Sequence, residues 1–289
     1  MTPGSPRSAR SRTYRETTTS TWTIIGLNAL ERWGGDLRTA DLAELWLERL
    51  PYLQVHTAER LAYRNLVNGA DAEHAAQLDD KSLEWIGALI RGDIFGYVNP
   101  GDPGPAAADS LVDAWLTHRG IGVHGKQWAA ALIAAAFATD SAHIALDRAL
   151  ATLPEDAGLV RSQRLVFDLF DWGADRDAAL ELVRSRWGHL HWIHTLHNAA
   201  LVSVGLLWGQ DFADAVGTTI AGGWDTDSTA ATVGSAYGAL HGVDAIPAEL
   251  VGTTHHRVRS AVMGEDRVTI RELVERTSRV RAVLVDARG

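Results

Sequence analysis

The 289-residue sequence contains no cysteine. This absence excludes disulfide bonds, thiol nucleophiles and cysteine-ligated zinc sites. The sequence also lacks an apolar run of about 18 residues, the length that a membrane-spanning helix requires. Its basic N-terminal stretch has no apolar segment of the kind found in a secretory signal. We therefore expect a cytoplasmic protein without a membrane span.

Positive charge is scarcer than negative charge. The chain has 27 basic and 36 acidic residues, which gives a formal net charge of -9. Because this balance disfavours non-specific attraction to nucleic acid or to an anionic membrane, we expect neither as a partner. A phosphate-bearing small ligand is still compatible, since a pocket can be locally positive in an acidic protein. Hydrophobic residues make up 46% of the chain, enough for a sizeable core.

Apolar residues recur at spacings of three and four through most of the chain. In residues 41–50, for example, Leu42, Leu45 and Trp46 share one helical face. No segment shows the sustained alternation that would favour a strand. The sequence therefore predicts an all-α protein, a single compact bundle of about a dozen helices.

Two regions differ in composition. Residues 1–15 are rich in proline, glycine, serine and arginine and predict a disordered leader, whereas residues 16–289 predict one helical domain. Helices are expected near residues 20–33, 39–49, 56–67, 81–96, 105–116, 123–138, 141–151, 158–171, 175–186, 191–207, 211–221, 227–240 and 269–282.

The stretch GGWDTDSTAA, residues 222–231, concentrates oxygen-bearing side chains. Asp225 and Asp227 are one residue apart, so in an extended or turn backbone their carboxylates point the same way, and Ser228 adds a neutral oxygen. Oxygen sets of this type bind Mg²⁺ or Ca²⁺, with waters completing the coordination. The alternative interpretation is an N-cap for the helix that follows.

Histidines and tryptophans provide weaker signals. Four histidines crowd into residues 189–197, but no cysteine or suitably spaced carboxylate accompanies them, which disfavours zinc. Buried polar contacts are the alternative there. Asp93 is interpreted as an ion partner of Arg91 or as a carboxylate supporting the site. The tryptophans interpreted as core residues, with stacking on adenine as the alternative, are Trp22, Trp85, Trp128 and Trp192.

The segment from Gly222 to Ala239 resembles the C-terminal metal motif of the ADP-ribosylglycohydrolase family, in which G-x-D-T-D-T/S begins a buried helix. Segments 84–103, 113–137 and 192–212 resemble the same family in the same order. The resemblance covers roughly residues 17–247. It implies an orthogonal bundle of helices with a binuclear Mg²⁺ site, which hydrolyses a glycosidic bond at the anomeric carbon of an ADP-ribosyl group.

The resemblance also implies roles for individual residues. Asp225, Asp227 and Ser228 would hold one or two Mg²⁺ ions. The segment from Gly120 to Gly125 would form a loop beside the ligand, and the helix after residue 191 would lie near the pocket. The substrate would be an ADP-ribosylated protein or a small ADP-ribosyl or N-ribosyl compound. Residues expected near it are Gly122, His124, Gly125, His118, His194 and Asn198, although the histidines and Asn198 could equally be structural.

Two departures from the family pattern qualify this hypothesis. Where relatives carry acidic residues followed by threonine, residues 17–21 read Thr-Thr-Thr-Ser-Thr. Replacing two carboxylates by hydroxyls should lower metal affinity sharply, and Glu16 is the remaining carboxylate that could replace one ligand. The family's preceding G-D-A-x-G helix has no counterpart, so the chain looks shortened at its N-terminus. The alternative function is a degenerate relative, weak or inactive in catalysis, that binds ADP-ribose or a nucleotide.

Overall fold

The computed structural model describes residues 18–77, 81–251 and 256–288. Within these ranges the chain is 70% helical, with one antiparallel pair of two-residue strands, β1 (Arg257–Val258) and β2 (Val268–Thr269). The α-helices are α1 (Thr18–Trp33), α2 (Thr39–Arg49), α3 (Thr57–Val67), α4 (Asp93–Tyr97), α5 (Pro103–Thr117), α6 (Ile121–Ala136), α7 (Ala142–Leu150), α8 (Gly158–Asp171), α9 (Arg176–Trp187), α10 (Thr195–Trp208), α11 (Phe212–Ala221), α12 (Thr226–His241), α13 (Ala248–Val251) and α14 (Ile270–Arg288). Short 3-10 helices span Gly34–Asp36, Tyr52–Gln54, Leu89–Arg91 and Val243–Ala245. None of the described helices is both long and apolar enough to cross a lipid bilayer.

Helix α6 lies at the centre of the fold. Its residues 128–136 are almost completely buried, and it packs against α4, α5, α7, α10 and α12. The alanines on α6 let neighbouring backbones come close. At Gly96 of α4, an added Cβ would lie 2.7 Å from the Cβ of Ile133 and 2.8 Å from the carbonyl oxygen of Ala130. Small residues on both helices therefore set how closely α4 approaches the core.

Helices α10, α11 and α12 pack against one another and carry the aspartate motif. Almost every residue of α10 is buried, so its apolar surface has no solvent face. Gly205 of α10 lies against α11, where an added Cβ would be 1.8 Å from the Oγ1 of Thr219. This close packing holds α11 and the turn after it, from which α12 begins at Thr226.

The predicted helix over residues 81–96 is wrong. Residues 81–88 form turns, and only the 3-10 helix Leu89–Arg91 and α4 are helical in this region. The backbone bonds to other segments instead, because the N–H of Ile86 donates to the carbonyl of Ile193 at 2.8 Å and that of Thr195 to the carbonyl of Glu84 at 3.0 Å. The helix predicted from residue 191 accordingly begins only at Thr195.

The C-terminal segment packs onto α1. Arg276 of α14 bonds to Glu31 of α1 at 2.6 and 2.8 Å and to Glu265 at 2.8 Å. Ser20 and Thr21, at the end of the threonine run, also contact the C-terminal segment. The Oγ1 of Thr21 accepts from the N–H of Ala261 at 3.0 Å, and the hydroxyl of Ser20 donates to the carbonyl of Arg259 at 2.9 Å.

Candidate functional site

A cavity of about 200 Å³ lies at the N-terminus of α12. Asp225, Asp227 and Ser228 form one side of it, so the three oxygen-bearing side chains predicted from the sequence do converge. The rest of the wall comes from α1, α3 and the segments around residues 85–90 and 192–193. Those residues are Trp22, His56, Thr57, Glu59, Trp85, Ile86, Gly87, Ile90, Trp192 and Ile193.

The backbone before α12 makes an unusual turn that places Asp225 at the cavity. Gly223 and Trp224 both have positive φ, 84° and 59°, and the second of these is costly for a residue with a side chain. The N–H of Asp225 donates to the Oδ1 of Asn198 at 3.2 Å. The amide of Asn198 in turn donates to the carbonyls of Trp192 and His194 at 3.0 and 2.9 Å. Asn198 therefore ties two walls of the cavity together.

The two carboxylates have different environments. Asp225 is buried, whereas Asp227 is exposed. Burial, followed by the hydrogen bond and repulsion from Asp227, raises the pKa of Asp225 to about 7, and Ser228 opposes this shift. Asp225 occupies the N-cap position of α12, where its side chain lacks a hydrogen bond of full capping geometry, although the backbone N–H of Ser228 lowers its pKa. The carboxylate is therefore at the position that the N-cap alternative predicts, and it lines the cavity as the metal-ligand alternative predicts.

Among the described residues, the oxygen atoms of this cavity form one set that fits a hard cation. Mg²⁺ is commonly held by one or two carboxylates while it keeps several waters, and Asp225 with Asp227 and Ser228 supplies such a set. Across the described ranges, no group of three or more histidines, aspartates and glutamates is arranged to hold a metal. The facing wall presents the indoles of Trp22 and Trp85. Glu16, the predicted replacement ligand, lies outside the described residues.

A buried network of charges supports the wall opposite Asp225. Glu59 of α3 accepts from Arg91 at 2.5 Å, and Arg91 also bonds to Asp113 at 2.7 Å. Lys126 lies 2.8 Å from Asp113. Burial raises the pKa of Glu59 although Arg91 opposes it. Sequence reasoning missed Glu59, and the available signal was its place beside Ala58 on the buried face of an otherwise amphipathic helix.

The tryptophans depart in part from the prediction that they are core residues. Trp128 is completely buried, and Trp22 is 3% exposed but still lines the cavity. Trp192 is 53% exposed. Trp85 also lines the cavity and stacks on His191, with ring centroids 4.4 Å apart. Three indoles therefore line the same cavity as the carboxylates, and of these four tryptophans only Trp128 does not line it.

Several residues predicted to contact substrate lie away from this cavity. The segment 120–125 is not a loop, because α6 begins at Ile121 and includes Gly122 and Gly125. An added Cβ at Gly122 would lie 2.3 Å from the carbonyl oxygen of Leu83, and at Gly125 2.5 Å from the Cγ2 of Thr195, so close packing explains both glycines.

Of the polar residues predicted to contact substrate, some are buried in the core and one lines a neighbouring cavity. His118 is completely buried and bonds to Thr117 at 2.6 Å, and Asn198 is buried and bonds to backbone groups. Burial lowers the pKa of His118 well below its usual range and also lowers that of His124, a half-buried residue of α6. Of the predicted histidines, His194 does line a cavity that adjoins the first, where its Nε2 is 3.6 Å from the carboxylate of Glu84.

Comparison with known proteins agrees with this architecture. The family model of the ADP-ribosylglycohydrolases matches residues 10–284. A solved structure described as an ADP-ribosylglycohydrolase-related protein complex is similar with a TM-score of 0.57 and 16% identity, over 93% of this chain and 81% of that chain. At this identity the likeness shows the fold alone. A comparison with the curated proteins finds no match. Because the family model matches nearly the whole sequence, the chain belongs to the ADP-ribosylglycohydrolase family.

Proposed function

We propose that this chain hydrolyses a glycosidic bond at the anomeric carbon of ribose, in an ADP-ribosylated or related N-ribosyl substrate. The observation that carries the proposal is the convergence of Asp225, Asp227 and Ser228 with three indoles in one cavity. Cleavage of a ribosyl bond develops positive charge on the sugar, and adjacent carboxylates stabilise that charge. Family membership supports the same reaction class.

The side chains of the cavity have different roles in the proposed reaction. Asp225 and Asp227 accept hydrogen bonds from ribose hydroxyls and orient the sugar. Trp22, Trp85 and Trp192 cover its faces and exclude water, which strengthens every electrostatic contact inside. A Mg²⁺ ion held by the two aspartates would supply Lewis acidity and lower the pKa of a bound water. Asn198 keeps the backbone of Asp225 in place.

A second candidate is a protein that binds ADP-ribose without turning it over. The observation that favours it is the wall facing Asp225, where the described residues include indoles but no second set of metal ligands. A cation site with fewer carboxylates has lower affinity. Binding and catalysis are therefore measured separately.

The test compares Asp225→Asn with Asp211→Asn. Both aspartates occupy N-cap positions, but Asp211 makes its capping bond to Asp214 at 2.8 Å and lies outside the cavity. Hydrolysis is followed with ADP-ribosyl-arginine, an ADP-ribosyl-serine peptide and nicotinamide riboside, with and without Mg²⁺. Asp225→Asn should lower kcat/KM by about 10²- to 10⁴-fold, and Asp211→Asn should leave it unchanged.

Calorimetric titration with ADP-ribose separates the two candidates. Turnover of any of these substrates by the parent protein, lost in Asp225→Asn, excludes the binding-only function. Binding of ADP-ribose with no turnover supports the second candidate. If Asp225→Asn changes neither turnover nor Mg²⁺ binding, the carboxylate pair is not the active site.

A further inference from the structure

A larger cavity, of about 560 Å³, lies between α1, α4 and α14. It shares no lining residue with the cavity that contains Asp225. Leu27 and Ile94 line its buried part, and Phe137 and Val274 line its exposed part. We call it the α14 cavity. Its volume lies within the range of about 300–1,000 Å³ that is typical of small-molecule sites.

Helix α14 is fixed to the rest of the protein by the face that adjoins this cavity. Val280 and Leu284 of that face are buried in the core, and Arg276 between two carboxylates anchors the helix to α1. The cavity is therefore a preformed space between helices that other contacts hold in place, and not a gap beside a loosely attached helix.

The hydroxyl groups of the α14 cavity are already used. The hydroxyls of Thr23, Thr277 and Ser278 each donate to the carbonyl four residues earlier in their own helix, at 3.1, 2.8 and 2.9 Å. The hydroxyl of Tyr97 is bonded to that of Ser235 on α12. Because these groups have their partners within the protein, the cavity offers a ligand mainly apolar surface.

Arg281 supplies the one strong polar group of this cavity. It is the only charged residue among those that line the cavity in the described part of the chain. Its side chain is exposed, and it makes no hydrogen bond or ion pair with a residue of the described ranges. A guanidinium presents paired donors that match a carboxylate. The cavity therefore combines an apolar surface with a single cationic donor.

We infer that the α14 cavity binds a small monocarboxylate with an aliphatic tail, of the medium-chain fatty acid type. The carboxylate pairs with Arg281, and the tail lies along Leu27, Ile94 and Phe137. A single guanidinium neutralises one negative charge, and the hydroxyls have no free protons for a second. A dianion such as a phosphate monoester therefore fits less well, particularly in a protein with a net charge of -9. The inference does not depend on the proposed function.

Charge also distinguishes this ligand from two other occupants. Residues 1–17 contain four arginines and one glutamate, so their net positive charge is repelled by Arg281. A two-fold contact between two copies of the same face would bring both Arg281 side chains into one interface. An anionic ligand with an apolar tail avoids both kinds of repulsion.

Arg281→Gln tests the carboxylate contact, and Arg279→Gln is its matched control. Arg279 is also an exposed arginine of α14, but it does not line the cavity. Val274→Asn tests the apolar surface, with Val285→Asn, another exposed valine of α14 outside the cavity, as control. The probes are decanoate, octanoate and decanol, each titrated calorimetrically into the full chain at pH 7 and at concentrations where the probe is monomeric.

The parent protein should bind decanoate about tenfold more tightly than octanoate, because two buried methylene groups are lost in the shorter tail. Arg281→Gln should raise the Kd of decanoate by about tenfold or more and leave that of decanol unchanged. Val274→Asn should raise the Kd of both ten-carbon probes. Arg279→Gln and Val285→Asn should match the parent.

Four results would overturn the inference. The first is no binding of decanoate by the parent at about 1 mM, the weak end of specific affinities. The second is a Kd for decanoate that Arg281→Gln does not change. A dimer in sedimentation experiments that Val274→Asn dissociates would assign the cavity to a second copy. Protection of residues 1–17 from hydrogen exchange, lost in Val274→Asn, would assign it to the N-terminal segment of the chain itself.

Discussion

Asp93 should make the stability of this protein fall as the pH rises. It is the first residue of α4, is 4% exposed, and its Oδ1 has no hydrogen-bond partner in the described part of the chain. The structure does not pair it with Arg91. Burial raises the pKa of Asp93 to about 7, although Ser235 and Lys126 oppose this shift. Its charged form is therefore unfavourable in the folded protein.

The sign and size of the effect follow from linkage. The ordinary pKa of this carboxyl is 3.8, and the folded value is about 7, so the folded state retains the proton over this interval. The stability contributed by protonated Asp93 is complete below pH 3.8 and is lost as the pH rises through about 7. A difference of this size corresponds to about 4 kcal/mol in the free energy of unfolding.

The perturbation is Asp93→Asn, which keeps the shape of the side chain but cannot ionise. Its free energy of unfolding relative to the parent protein should rise by about 4 kcal/mol between pH 4 and pH 8. Because the measured quantity is the difference in free energy of unfolding between Asp93→Asn and the parent protein, contributions from groups whose pKa does not depend on Asp93 cancel. Lys126 is the exception, because the charge of Asp93 raises its pKa. Burial lowers its pKa to about 7, so its penalty persists below that pH and disappears as the pH rises toward 10.5.

Urea unfolding at pH 4, 5, 6, 7 and 8 measures this difference for Asp93→Asn. Asp168→Asn, at an exposed position on α8, is the control for the loss of a carboxylate at the surface. If the difference between Asp93→Asn and the parent is constant over this range, Asp93 is not held protonated by burial, and the reasoning is refuted.

Three further substitutions test packing, charge and the cavity wall. Gly205→Ala should lower the free energy of unfolding by about 1–3 kcal/mol, because the new Cβ would lie 1.8 Å from the Oγ1 of Thr219. Gly217→Ala is the control: its new Cβ would have no neighbouring atom within 4 Å, so Tm should stay the same or rise. Arg91→Met should lower the free energy of unfolding by about 3–5 kcal/mol, because buried Glu59 loses its ion partner and Asp113 keeps only Lys126, and an unchanged urea midpoint would contradict this. Trp192→Ala should raise the Kd of ADP-ribose by about threefold to tenfold without lowering Tm.

The helices with clear amphipathic periodicity could be predicted closely. The predicted ranges 39–49 and 158–171 coincide with α2 and α8. Spacing was misleading over residues 81–96, because apolar residues at helical intervals also occur in a segment that is buried on several sides. There the N–H of Ile86 bonds to Ile193, more than 100 residues away in sequence. Local periodicity carries no information about such a partner.

The candidate site could be predicted only where it is local in sequence. Asp225, Asp227 and Ser228 belong to one motif, and the structure brings them to one cavity. Glu59 and Trp85 reach the same cavity from distant segments, and no local pattern joins them to the aspartates. The family resemblance predicted a loop beside the ligand over residues 120–125, but Gly122 and Gly125 occur where α6 touches neighbouring atoms. Glycine occurs both in loops and where a helix backbone packs closely against a neighbour, and sequence alone does not distinguish these two cases.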